Sequence, residues 1–311
     1  MTTLPVDGAP RAAPRILWRE VGLWLWCVFV IGMFLFVIPV GVPGLGMLFV
    51  LTVLLNKGFD GGLRQLAVTF RGWTGVVAFV IAYTTNRGVA DSLGMPIQQG
   101  SMIAIDRVIG FGELPTHRVQ RWIDWDAAPK WWEVSFPVVY ASHFIASMAP
   151  AAVLYQRNRD RCVEFVSRWL LLSAIGLVGY ILLPTVPPWM ASELGTVATV
   201  HEGLARGWEA VSIPAVSDVF TFGRNKSNQI AAMPSLHCGY PALLFLFFAP
   251  GRRRLVQVAL GFYALFMAFT VVITGQHWVI DILAGWACAW VAHRAVGRIR
   301  HGDGPRPSDL R

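Results

Sequence analysis

Apolar runs of helix length, separated by short clusters of arginine, constrain this chain more than any other feature. Val21 to Val40 is one such run, and others cover roughly 72–86, 133–155, 167–184, 237–250, 255–274 and 277–295, with a shorter one at 44–55. About 20 apolar residues in helical form cross a bilayer. Without water, each span must satisfy its own backbone hydrogen bonds, which makes every run a helix. Only 14% of the 311 residues are charged and the mean hydropathy is +0.53, against about a quarter charged in soluble domains. That excludes a soluble enzyme and a disordered chain. Runs of this length also exclude an outer-membrane barrel, whose strands alternate over about 10 residues. The expectation is an all-α polytopic membrane bundle of about eight transmembrane helices. Residues 1–20 and 297–311 are expected as cytoplasmic tails and 21–296 as the membrane-embedded part.

Lysine and arginine orient the bundle. With eight spans and an inside N-terminus, the inner segments hold 18 of the 26 basic residues. The longer outer segments, 87–132 and 185–236, hold the other 8. This is the positive-inside bias. It places both termini in the cytoplasm of a plasma (inner) membrane and turns the net charge of +8 towards anionic lipid at the cytoplasmic face rather than nucleic acid. The outer loops, about 46 and 52 residues long, are of a length that usually carries function. Trp122, Trp125, Trp131 and Trp132 in the first suit an interfacial belt. Cys27, Cys162, Cys238 and Cys288 have no metal-ligand or disulfide spacing.

Chemistry concentrates where two spans meet the outer side. His237 follows Met233-Pro234-Ser235-Leu236 at the mouth of one span, and His277 stands at the start of the last. Asp281 is four residues beyond His277, on the same helix face. A carboxylate bonded to one imidazole nitrogen sets the tautomer and frees the other nitrogen to attack. A second histidine at the same depth can act as general acid. The three form a phosphoryl-transfer set that needs no metal. Taken alone, His277 and Asp281 would read as a packing pair; the Pro-Ser-x-His element about 40 residues earlier, on the same face, reverses that in favour of chemistry.

Pro234-Ser235-Leu236-His237 followed by His277-x-x-x-Asp281 resembles the second and third motifs of the type-2 phosphatidic acid phosphatase superfamily. With Pro184-Thr185-Val186-Pro187-Pro188-Trp189, the chain is more specifically similar to the inositol phosphorylceramide synthase branch, over roughly 80–296. The resemblance implies a six-helix phosphatase-like core, about 72–296, with its site at the outer face and neither metal nor cofactor. It implies that His277 is the nucleophile forming a phosphohistidine, that Asp281 activates it, and that His237 protonates the leaving group.

Departures from the family pattern bear on phosphate binding. The first motif, Lys-x6-Arg-Pro, finds its spacing only at Lys57 and Arg64, but Gln65 follows and the topology puts the segment inside. The Ser-Arg normally six to seven residues before the third-motif histidine is replaced by Thr270 and Val271. Phosphate still needs positioned donors. Outer-side candidates are Arg224 and Lys226, then Arg87 and Arg107, each with an ordinary solvated charge as the rival reading. Tyr140 and His143 resemble a Tyr-x-x-His element of the same branch; a structural histidine is the rival there.

The resulting expectation is a lipid phosphotransferase or phosphatase with a membrane lipid substrate and a polar or lipid alcohol acceptor. It leans towards inositol-phosphate-type transfer, because a diester carries less charge than the clamp-bound monoester. Hydrolysis by water is the alternative, and a non-catalytic transporter or scaffold is the other.

Overall fold

Each long helix here starts or stops at a signal visible in the chain. The computed structural model describes residues 62–210 and 228–301, and all regular structure among them is helical. The expected spans at 21–40 and 44–55 lie outside the described residues. Helix α1 covers Gly62–Gly88. The segment after α1 holds α2 (Gly100–Ile109) and α3 (Pro115–Gln120), with Pro115 in the first turn, where its missing N–H costs nothing. The run at 133–155 is two helices, α4 (Ser135–Ala146) and α5 (Ala149–Arg157). The chain breaks at Ser147–Met148, just ahead of Pro150, which cannot continue a preceding helical ladder. Helix α6 (Arg159–Leu182) is capped by Asn158, whose side chain accepts from the Arg161 N–H at 2.9 Å. Two short helices follow, α7 (Pro188–Glu193) and α8 (Gly203–Glu209). Then come α9 (Leu236–Phe248), α10 (Arg254–Ile273) and α11 (Val279–His301).

Three of these, α6, α10 and α11, are long and apolar enough to cross a membrane, and α9 is a shorter apolar helix. Their outward residues fit lipid contact. Val178 on α6, Leu255, Val258, Phe262 and Leu265 on α10, and Trp290 on α11 are exposed apolar side chains, a pattern water would penalise as a continuous surface. Inside, α9 is the hub. It packs against α11, α10, α6 and α4, while α6 also holds α1, α5 and α11. Phe165, Leu172, Tyr240, Leu243 and Ala289 are buried together in this core.

The segments at one end of the bundle are tied by backbone pairing. Gln98, Thr185 and Ala231 form two isolated parallel bridges, with Gln98 N–H donating to Pro184 at 2.7 Å and Thr185 N–H to Ile230 at 2.7 Å. A buried ion pair, Arg206 Nε to Glu133 Oε2 at 2.7 Å, joins α8 to the start of α4. Gln120 donates to the His201 and Ile273 carbonyls at 2.7 and 2.9 Å. The segments between the long helices are therefore a built cap over α9, α10 and α11.

Candidate active site

Two stretches of chain 40 residues apart meet at a helix crossing. Ser235 N–H, just before α9, donates to the Asp281 carbonyl at 2.9 Å. The Ser235 carbonyl rests on Gly285: a Cβ there would fall inside the oxygen's van der Waals shell, with the carbonyl carbon at 3.1 Å and Gly239 N at 3.4 Å. A Cβ on Gly239 would stand 3.2 Å from the Gly285 carbonyl oxygen. Glycine on both sides lets the backbones of α9 and α11 touch, the membrane device of small residues at an interface.

That crossing sets the histidines. His237 Nδ1 lies 3.4 Å from His277 Nε2, and His277 Nδ1 lies 3.3 Å from Asp281 Oδ2. The same carboxylate oxygen accepts the Trp278 N–H at 3.0 Å. Asp281 is fully buried and His277 nearly so. A carboxylate only accepts, so it holds the proton on Nδ1 of His277 and leaves the Nε2 lone pair facing His237. The rings of Tyr140 and His143, one turn apart on α4, sit 4.2 and 4.4 Å from the His237 ring. Tyr240 backs His143 at 5.1 Å and is itself fixed by Ser173 at 2.6 Å.

The Pro-Pro-Trp segment is a strut between the two halves of the site. Thr185 pairs with the strand-like residues before α9, Val186 accepts the Trp278 indole N–H at 2.7 Å, and Trp189 N–H donates to Gly275 at 3.1 Å. Gly275 turns α10 into the His277 segment with φ +71°, and a Cβ there would meet the His201 carbonyl at 3.0 Å. Only glycine tolerates both conditions.

Among the expected phosphate ligands, Arg87 lies within electrostatic range of the histidines. It ends α1, donates to the Asn228 carbonyl at 3.2 Å and sits over the Tyr180 ring at 5.5 Å. Its charge acts on both His143 and His237. Asn228 returns a bond to the Arg87 carbonyl at 3.1 Å and holds Asp91 at 2.7 Å. Arg107 is exposed on α2, with no hydrogen bond or ring contact to either histidine among those described. Arg224 and Lys226 lie outside the described residues.

One participant was not foreseen. Asp106 of α2 is fully buried and its two oxygens accept the N–H groups of Val279 and Ile280 at 2.9 and 3.1 Å. Burial pushes its carboxyl up to about 6; the two N–H bonds oppose this and the charge of Asp281 adds to it. A lone aspartate in the apolar stretch Met102–Val108 was the only signal.

Over residues 101–295 the chain matches the PAP2 superfamily, and it belongs to that superfamily. It is similar to a phosphoinositol dihydroceramide synthase of Bacteroides thetaiotaomicron, with 28% identity over 165 residues, 49% of this chain and 52% of that protein. The chain thus spans about half the length of this curated relative. No solved structure matches it.

Proposed function

We propose that this protein is a membrane phosphotransferase that passes a phosphodiester of the phosphoinositol type from a lipid donor to a lipid alcohol, through a covalent adduct on His277. The observation that carries the reading is the line Asp281–His277–His237, in which a tethered imidazole presents its free nitrogen to a second histidine. The relative's name supports phosphoinositol as the migrating group.

Nε2 of His277 attacks phosphorus, the bond to the leaving alcohol breaks, and His237, acting as an imidazolium, gives its Nδ1 proton to the departing oxygen and becomes a neutral imidazole. The acceptor hydroxyl then returns a proton to His237 and attacks phosphorus, and the P–N bond breaks. The leaving oxygen must lie opposite Nε2 in each displacement, so the phosphate enters by parting the two nitrogens that now stand 3.4 Å apart. Asp281 stabilises the imidazolium that develops on His277. Arg87, held by Asn228 and Tyr180, neutralises the phosphate, with Arg224 and Lys226 as further donors. Tyr140 and His143 wall the His237 ring and bound the donor head group. The site opens to the outer face, with the catalytic core at about 72–296 and the tails in the cytoplasm. Anionic lipid lies against the inner arginines.

Purified full-length protein in detergent, given labelled phosphoinositide and a ceramide-type acceptor with a chelator present, tests the reading. Transfer product that survives chelation and vanishes in His277→Ala is expected. Inositol phosphate released to water in place of transfer product would make the protein a hydrolase. No turnover of any phosphate monoester or diester above the variant would overturn the enzyme reading.

A further inference from the structure

Helix α11 starts without a capping residue of its own. The residues leading into it are Gly275, Gln276, His277 and Trp278, and none is the Ser, Thr, Asp or Asn that ordinarily accepts the first free N–H groups. The Trp278 N–H is taken by Asp281 Oδ2 from within the helix. The next two, on Val279 and Ile280, point at a buried carboxylate 173 and 174 residues away in sequence, on α2. The first turn of α11 is also where the reacting pair is set, because His277 stands two residues ahead of it and Asp281 lies within it.

We propose that Asp106 is a positioning residue for the His277–Asp281 pair, a cap supplied from the outer segment that fixes the first turn of α11 and hence the direction of the His277 lone pair. The inference rests on the phosphotransfer reading of that pair. Each Asp106 oxygen holds one N–H, so the carboxylate fixes both the height and the rotation of the turn. With Val279 and Ile280 held, Asp281 Oδ2 can serve Trp278 N–H and His277 Nδ1 together. Without Asp106, two part-buried N–H groups lose their partner, and a free acceptor in the same turn is Asp281 itself, whose Oδ1 is buried with no hydrogen bond. Rotation of Asp281 towards them would draw Oδ2 away from His277. A displacement of about 1 Å at a reacting group costs about a hundredfold in rate. The cap also couples the outer segment to the chemistry, since α2 packs against α11 and leads through Gln98 to the Pro-Pro-Trp strut.

The test compares Asp106→Asn with Glu133→Gln in the full chain in detergent. Glu133 is another buried outer carboxylate, but it pairs with Arg206 and the Lys130 N–H and not with α11. The expected result is a fall in kcat of about 10- to 100-fold for D106N with KM within twofold, and a displaced 15N resonance of His277 Nδ1. E133Q should keep kcat within threefold and leave that resonance in place, whatever its thermal midpoint. Asp106→Glu, which retains the charge one methylene further out, should recover part of both. If D106N does not fold, D106E carries the test, and native kcat with an unmoved resonance overturns the assignment. So does D106N with native kcat, or with a loss shared equally by E133Q. If the native protein turns over no substrate, the phosphotransfer reading fails separately, and the His277 resonance alone decides whether Asp106 positions it.

Discussion

Replacing Gly285 with alanine puts a methyl group into the backbone contact that joins α9 to α11. The new carbon would overlap the Ser235 carbonyl oxygen and stand 3.1 Å from its carbon and 3.4 Å from Gly239 N. These are backbone atoms, so no side chain can rotate away. Restoring ordinary contact needs the two helices to part by roughly 1 Å, and His237, two residues beyond Ser235, moves with α9. The His237–His277 separation then grows from 3.4 Å to above 4 Å, and proton delivery falls out of register. A shift of that size costs about a hundredfold in kcat, near 2.7 kcal/mol at 1.36 kcal/mol per decade. Stability should fall by about 1–3 kcal/mol from overpacking. The assay is steady-state lipid turnover of G285A below its thermal midpoint, beside Gly75→Ala. Gly75 lies on α1 with nothing within 4 Å of a built Cβ, so that change should leave kcat alone. G285A with kcat within threefold of the native protein would refute the argument that this crossing sets the histidine pair.

Other changes have defined outcomes. Asp281→Asn keeps an acceptor for the Trp278 N–H but removes the charge that steadies an imidazolium on His277, so kcat should drop by about 10²–10⁴-fold with little change in KM; equal kcat would exclude Asp281 from the chemistry. Arg87→Ala should weaken phosphate binding and lower kcat/KM by at least tenfold, with Arg87→Lys recovering part of it, measured by lipid titration. For pH, the Asp106 carboxyl is raised to about 6 in the folded state. Its contribution to stability is therefore full below about pH 4 and is lost as pH rises through about 6, a change of about 1–3 kcal/mol. Asp281 on α11 is the ionisable group facing it. The thermal-midpoint advantage of native protein over D106N should therefore shrink between pH 4 and 7, and an advantage that grows with pH would contradict the assigned burial.

The clustering of His237, His277 and Asp281 was legible because its signals are local or topological. His277 and Asp281 share a face by spacing alone, and the arginine pattern put His237 at the same depth. Helices α6, α9, α10 and α11 likewise follow from apolar length. The segment between α1 and α4 was not legible. It read as one long loop, but α2 and α3 are only ten and six residues long, too short for periodicity to register. Asp106 was hidden with them, since a cap supplied from a distant helix leaves no mark near the helix it caps. Pro184–Trp189 was recognisable as a motif, but its role as a strut depends on Trp278 and Gly275, about 90 residues away. The division of 133–155 into α4 and α5 had a readable cause in Pro150, which apolarity alone overrode.

The central claim is that His277 becomes covalently bound to phosphorus. Rapid acid-free quenching of the full-length protein with 32P-labelled phosphoinositide, followed by peptide mapping, tests it most directly. The account predicts an acid-labile, alkali-stable label on the peptide containing His277, formed at the rate of turnover, absent in His277→Ala and accumulating when acceptor is withheld. Turnover that proceeds with no label on His277, or with label on His237, would contradict it.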